Sequence, residues 1–163
     1  MVDQTQFRAA LARLGAAVNI ITSDGPAGRH GFTASAVCSV TDTPPTVLVC
    51  VNRVSPSNEK LKENGVLCVN VLAGRHEVLS TQFATRSLSI EERFAGADWI
   101  RLETGAPVLA DATVSLDCRI TATAEIGTHT VFYGEVQAVR LAENAHGLIY
   151  FDKAYHHLGE AQA

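Results

Sequence analysis

Along the chain the spacing of apolar positions changes several times. Residues 3–15 keep a helical period. Phe7, Ala10, Leu11 and Leu14 fall at i, i+3, i+4 and i+7, Asp3 stands at the N-cap with Gln6 three residues on, and Gly15 ends the run. From Ala16 the period shortens. Ala16 to Ser23 is rich in β-formers and breaks at the turn Asp24-Gly25-Pro26. Phe32 to Thr41 alternates, with Phe32, Ala34, Ala36, Cys38 and Val40 on one side and Thr33, Ser35, Val37, Ser39 and Thr41 on the other. Period two predicts a strand with a small apolar face and a row of hydroxyls opposite.

Thr46 to Asn52 reads as an apolar run, as a central strand covered on both faces does, and Val66 to Leu72 reads as another buried strand. Between them Ser55-Pro56-Ser57 opens a short helix that Asn64-Gly65 closes. His76 to Ala84 reads as a helix, and Ser89 with Glu92 forms a capping box before Phe94. Val114 to Ile126 alternates without a fault, its even positions apolar from Val114 to Ile126 and its odd positions polar. Gly127-Thr128-His129 makes the turn. Thr130 to Leu141 returns, with Gly134 a bulge or close-approach point. His146 to Phe151 is the last predicted strand, and the tail after His157 reads as frayed. Six to seven strands and three or four short helices, in no regular alternation, predict a mainly β fold: an antiparallel barrel with helices packed on its ends. No linker or repeat divides residues 1–163, which read as one domain.

Composition narrows the function. Hydrophobic residues make up 47% and charged residues 18% of the 163, a thin charged coat that predicts surface covered by a partner subunit or a cofactor. The net charge of -4 argues against nucleic acid. No apolar run approaches the roughly 20 residues of a membrane span, and the N-terminus lacks the pattern of a signal peptide. Cys38, Cys50, Cys68 and Cys118 each sit in an apolar run with no C-x-x-C pair. They read as buried free thiols in a reducing compartment, hence a cytoplasmic chain, and the six histidines do not fall at zinc-ligand spacings with them.

There is no dinucleotide-binding G-x-G-x-x-G, no P-loop, no nucleophile elbow and no H-E-x-x-H. Three segments offer chemistry. One is the hydroxyl row Thr33, Ser35, Ser39 and Thr41. Another is Asn52 to Ser57, where a strand runs into a helix start and an Arg, hydroxyls and free N–H groups suit a phosphate. The third is the His of Gly127-Thr128-His129. Each alone has an ordinary reading: a solvated edge strand, a simple helix cap and a surface turn.

Together they carry a resemblance. Gly15 to Asn52 (GAAVNIITSDGPAGRHGFTASAVCSVTDTPPTVLVCVN) resembles the signature half of the short-chain flavin reductases, the reductase components of two-component flavin-dependent monooxygenases. The likeness is nearest to the reductases of 4-hydroxyphenylacetate 3-monooxygenase and of pyrimidine utilisation. LCVNVL (67–72), EERF (91–94), IGTH (126–129) and HGLIYF (146–151) with Tyr155-His156 extend it from about Phe7 to His157, with a departure at Thr85, where the family often has Gly. The resemblance implies a homodimeric Greek-key split barrel with bound FMN or FAD and with NADH or NADPH as hydride donor. It implies that the strand Thr33 to Ser39 takes the flavin ring, through Thr33, Ser35 and the Ala34 and Ala36 amides. Cys50, Val51 and Asn52 would flank the ribityl chain, Ser55, Ser57 and Arg53 the phosphate, and Phe83 and Thr85 the phosphate or adenine end. His129 would sit beside the nicotinamide, and Tyr155 and His156 match a C-terminal aromatic–His pair. Reduced flavin would pass by diffusion to an oxygenase partner. A flavin-binding electron carrier and a split-barrel oxidase with tightly bound FMN are the rival readings.

Overall fold

The structure is a computed structural model that describes residues 1–159. Of the tail expected to fray after His157, Leu158 ends a strand, and residues 160–163 lie outside the described residues. Asp3 caps α1 (Gln4–Leu11) by accepting the Gln6 N–H at 2.8 Å. Short β1 (Ala16–Ala17), β2 (Asn19–Ser23), β3 (His30–Ala34), β4 (Val37–Asp42) and β5 (Pro45–Asn52) follow. Ser55 caps α2 (Pro56–Asn64), Pro56 takes its first turn, and Gly65 closes it at φ 70°. After β6 (Val66–Val71) and a 3-10 turn (Gly74–His76) come α3 (Glu77–Ala84) and α4 (Ile90–Phe94). The latter starts in the predicted capping box: Ser89 Oγ accepts the Glu92 N–H, and the Glu92 carboxylate accepts the Ser89 N–H. The rest is strand: β7 (Trp99–Arg101), β8 (Pro107–Leu109), β9 (Val114–Ile126), β10 (His129–Leu141), β11 (Gly147–Phe151) and β12 (Ala154–Leu158).

Seven strands form one antiparallel sheet in the order β3-β2-β6-β9-β10-β5-β4. Its two edges, β3 and β4, are consecutive in the chain and joined only by Ser35 and Ala36. Three residue steps reach about 11 Å at most, so the sheet must curl until its edges nearly meet. They do not pair, and the sheet is not closed into a barrel. The predicted strand Phe32 to Thr41 is therefore two strands on opposite edges. The break shifts the alternation. Phe32, Ala34 and Val37 pack on the core, whereas Cys38 and Val40 are exposed, and a bulge between Ser39 and Thr41 shifts the register again.

Ile21, Val49, Val69 and Phe132 fill the inside of the curled sheet. Gly134 lies at a register shift where a Cβ would come 2.9 Å from Cys118 Cβ, so it is both bulge and close approach. A second cluster joins Ile20, Phe83, Phe94, Leu109 and Leu148 beneath α3 and α4, with the Phe83 and Phe94 rings edge to face at 5.0 Å. Val18, Leu72 and Leu148 exchange backbone hydrogen bonds of 2.9–3.1 Å and tie the small sheet β1-β11-β12 to the large one.

Burial and pairing add five features to the sequence pattern. The polar face of β9 is not solvated at its start: Ser115 and Asp117 are fully buried, Asp117 accepting from the Thr104 N–H and hydroxyl and Ser115 donating to Asn70. The apolar stripe of α1 covers no core, since the helix has no buried residue and Phe7, Leu11 and Leu14 are exposed. His146 to Phe151 is followed by a further strand, β12, across a two-residue turn with Asp152 and Lys153 both at positive φ. The hairpin β7–β8 is also new, too short for its period to register. The cysteines divide: Cys68 and Cys118 are buried, Cys50 half-buried and Cys38 exposed, all free.

Candidate functional site

A cavity of about 630 Å³ opens where the sheet fails to close. One wall is the end of β3, Thr33 and Ala34, with the link Ser35-Ala36. Next to it are Cys50, Val51 and Asn52 at the end of β5. The floor is the start of α2, Ser55 to Ser57, and Phe83 of α3 with Arg86 and Arg93 closes the far side. These segments converge because Cys50 N–H donates to Ala36 O at 3.0 Å, which pins the link to β5. Thr33 Oγ1 donates to Ser80 O at 2.6 Å, which pins β3 to α3. Gly31 permits the last contact: a Cβ there would lie 2.6 Å from Phe83 Cε1.

Ten of the predicted residues thus line one cavity: Thr33, Ala34, Ser35, Ala36, Cys50, Val51, Asn52, Ser55, Ser57 and Phe83. Six others lie off it. Ser39 is exposed on β4, carried away when the chain changes edges. Arg53 is turned to the β9–β10 hairpin, with Nε 2.9 Å from Glu125 Oε2 and Nη1 donating to Gly127 O. Thr85 uses its hydroxyl on Thr81 O at 2.7 Å. Tyr155 is behind α3, its hydroxyl 3.1 Å from Ser80 Oγ, and His156 is exposed with its ring 6.0 Å from Phe151. His129 is the first residue of β10 rather than part of the turn. It pairs in register with Asn52, exposed, its Nδ1 2.9 Å from Thr128 Oγ1.

Sequence reasoning missed His30, Arg86 and Arg93. His30 is buried at 6% exposure, its Nε2 2.8 Å from Ser57 Oγ, and its Nδ1 has no partner. Burial, then the charges of Lys60 and Arg93, push its pKa down to about 4, so it is neutral at pH 7. Arg93 donates from Nη1 to Gly31 O and from Nη2 to Thr85 O and leaves Nε bare. The signal for Arg93 was present in EERF, but nothing in the sequence says that α4 folds over the end of β3. Two arginines and no carboxylate line the cavity among the described residues, in a chain with 13 basic and 17 acidic residues. The cavity suits a flat, partly apolar ligand with an anionic end. Burial and then Cys38 raise the Cys50 thiol, which favours its protonated form.

Comparison with known proteins agrees with this chemistry. Residues 11–159 match the family model described as flavin reductase like domain. An FMN reductase (NADH) RutF from Pantoea ananatis (strain LMG 20103) is 54% identical over 157 residues, covering 96% of this chain and 82% of that protein. The solved structure of flavin reductase PheA2 in its native state is 30% identical with a TM-score of 0.86, covering 98% of this chain and all of the other. That of Streptomyces globisporus C-1027 NADH:FAD oxidoreductase SgcE6, in complex with NAD and FAD fragments, is 28% identical with a TM-score of 0.88, covering 99% and 96%. With its family model spanning nearly the whole chain, this protein belongs to the flavin reductase like family.

Proposed function

We propose that the chain is an NADH-dependent flavin reductase that reduces FMN and releases it to a separate flavin-dependent oxygenase. The observation that carries this is the cavity at the split in the sheet, with small residues and open backbone on one wall and hydroxyls and arginines without carboxylates at the other end. Relatives named FMN reductase (NADH) supply the choice of flavin and of hydride donor. A solved relative described as the flavin reductase component of a two-component tryptophan halogenase supports the hand-over.

Bound flavin supplies the two-electron acceptor for the hydride of reduced nicotinamide. The protein's part is placement. Ala34, Ser35 and Ala36 are small, so a flat ring would reach the Ser35 and Ala36 N–H groups, which lie between the β3 and β4 ladders. Cys50, Val51 and Asn52 would border the chain that follows the ring, and Ser55, Ser57 and Arg86 would face the phosphate, as their place in the cavity lining allows. His129, opposite Asn52 at the exposed rim, would hold the nicotinamide. Hydride transfer between stacked rings requires no acid–base pair. Tyr155 contributes indirectly, bracing α3 through Ser80, the residue whose carbonyl holds Thr33.

The same reading includes a homodimeric Greek-key split barrel over residues 1–163. It is supported by the exposed stripe Phe7, Leu11 and Leu14 and by exposed Tyr150 and Phe151 nearby in the small sheet. Leu11→Glu would then convert a dimer to a monomer in sedimentation equilibrium. A cytoplasmic location is supported by four free thiols. The direct test mixes protein, NADH and FMN, FAD or riboflavin in air and follows nicotinamide absorbance. Oxidation proportional to added FMN is the expected result. Electron transfer without nicotinamide turnover would mark a carrier, and hydrogen peroxide from a tightly held flavin with an organic donor would mark an oxidase.

A further inference from the structure

Anion sites at helix starts usually draw on free backbone N–H groups. At α2 those donors are already used. Pro56 has none, Ser57 N–H donates to Ser55 Oγ at 3.3 Å, and Asn58 N–H donates to Ser55 O at 3.0 Å. An anion on this floor must therefore be met by side chains, and the direction of the Ser57 hydroxyl proton becomes decisive.

Ser57 Oγ has one side-chain partner, His30 Nε2 at 2.8 Å, and both residues are more than nine-tenths buried in the wall of the cavity. Two proton arrangements satisfy that contact. If Ser57 donates to Nε2, the imidazole proton lies on Nδ1 as a buried N–H with no acceptor. If Nε2 donates to Ser57, Nδ1 is a bare lone pair. Each arrangement leaves one buried donor proton without a protein acceptor, the Nδ1 N–H in the first and the Ser57 hydroxyl in the second, and an anion on the floor formed by Ser55 to Ser57 would accept the second. The cations bearing on the ring, Lys60 from α2 and Arg93 from α4, further favour a lone pair over an N–H dipole. The second arrangement wins. It leaves the Ser57 proton without a protein acceptor and free for a ligand in the cavity.

We infer that His30 is a positioning residue that makes Ser57 a hydrogen-bond donor to the ligand's phosphate, and so sets the preference of this site for phosphorylated over unphosphorylated flavin. The inference rests on the flavin reading above. No carboxylate among the described residues pairs with Arg86 or Arg93, so the phosphate meets donors only.

The test is the pair of dissociation constants for FMN and riboflavin, measured by quenching of flavin fluorescence. Wild type is expected to prefer FMN. His30→Phe keeps a ring of similar shape and removes both nitrogens. Ser57→Ala removes the donor itself. Each is expected to weaken FMN about tenfold or more, the range for a hydrogen bond to a charged group, while riboflavin moves less than twofold. In the Ser57→Ala background, His30→Phe is expected to cost nothing further, because it acts through Ser57. His30→Gln restores a side-chain N–H near the Nε2 position and recovers part of the FMN preference. Parallel weakening of both ligands, unchanged FMN binding, or additive losses in the double variant would each overturn the role of His30. If His30→Phe does not fold, Ser57→Ala and His30→Gln still decide the matter through the FMN-to-riboflavin ratio. Wild type that binds neither flavin would sink the flavin reading itself.

Discussion

His30 couples the acid stability of the fold to the wall of its cavity. Burial first, then the charges of Lys60 and Arg93, hold its pKa near 4 in the folded protein, against an ordinary 6.5. The unfolded chain therefore takes up a proton, as pH falls below 6.5, that the native state refuses. Stability is complete above pH 6.5 and declines as pH drops toward 4. At 1.36 kcal/mol per pH decade the full loss is about 3 kcal/mol. His30→Gln keeps a neutral amide beside Ser57 and removes the titration. Urea unfolding at pH 7 and pH 4.5 is the assay. Wild type should lose about 2–3 kcal/mol more than the variant over that interval, or roughly 5–10 °C in Tm for a domain of this size. Other carboxylates cancel in the comparison. They include Asp111, where burial is outweighed by His76 and Arg75, and Glu125, held down by Lys62 and Thr130. Parallel pH profiles for the two proteins would refute the argument and mean that the His30 ring is hydrated or that its cationic neighbours lie elsewhere.

Other outcomes follow from the same geometry. Gly31→Ala drives a methyl to 2.6 Å from the Phe83 ring and 3.2 Å from Phe94. Overpacking of that kind costs about 1–3 kcal/mol, so thermal melts should drop by roughly 2–12 °C and flavin affinity should fall with them, since Phe83 lines the cavity. In thiol labelling, Cys38 should react at once, Cys50 more slowly and least with FMN bound, and Cys68 and Cys118 only on unfolding. Burial and Asp117 raise both buried thiols, that of Cys118 to about 12. Four equally fast thiols would contradict the core assignment. His129→Ala should raise the KM for NADH by roughly 2- to 13-fold with flavin affinity unchanged, the value of one neutral hydrogen bond. An unchanged KM would return it to the status of a rim residue.

Much of the fold is legible because its elements announce themselves locally. Asp3, Ser55 and Ser89 mark helix starts through hydroxyls or a carboxylate that cap them, and Gly65 marks a helix end because it must adopt positive φ. The largely apolar runs of β5 and β6 and the long alternation of β9 mark central strands. What is lost is information that lives in tertiary pairing. The burial of Ser115 and Asp117 leaves no local signal, because their partners, Asn70 and Thr104, come from 45 and 13 residues away. Asp152 suits a turn but Lys153 stands at positive φ where Gly is usual, so the β11–β12 hairpin leaves little local trace. His30, Arg86 and Arg93 meet only through folding, and no spacing in the sequence joins position 30 to position 93.

The largest misreading falls on the site itself, and for a physical reason. From Phe32 to Thr41 the alternation has a single fault, at Val37, and neither Gly nor Pro marks a break, so the period favours one strand. The fold instead leaves β3 after Ala34, spends two residues crossing the split and begins β4 at Val37 on the opposite edge. A continuous strand would have placed Ser35 and Ala36 inside a ladder, with their backbone groups bonded to neighbours and a side chain on each face. The interruption takes both residues out of the ladders, and Ala36 O is held by Cys50 N–H so that the gap persists. A local rule is broken there without any stabilising return, which is where a binding site is expected. The opening in the sheet and the cavity are one feature, and Ser35 and Ala36 line it where the chain changes edges.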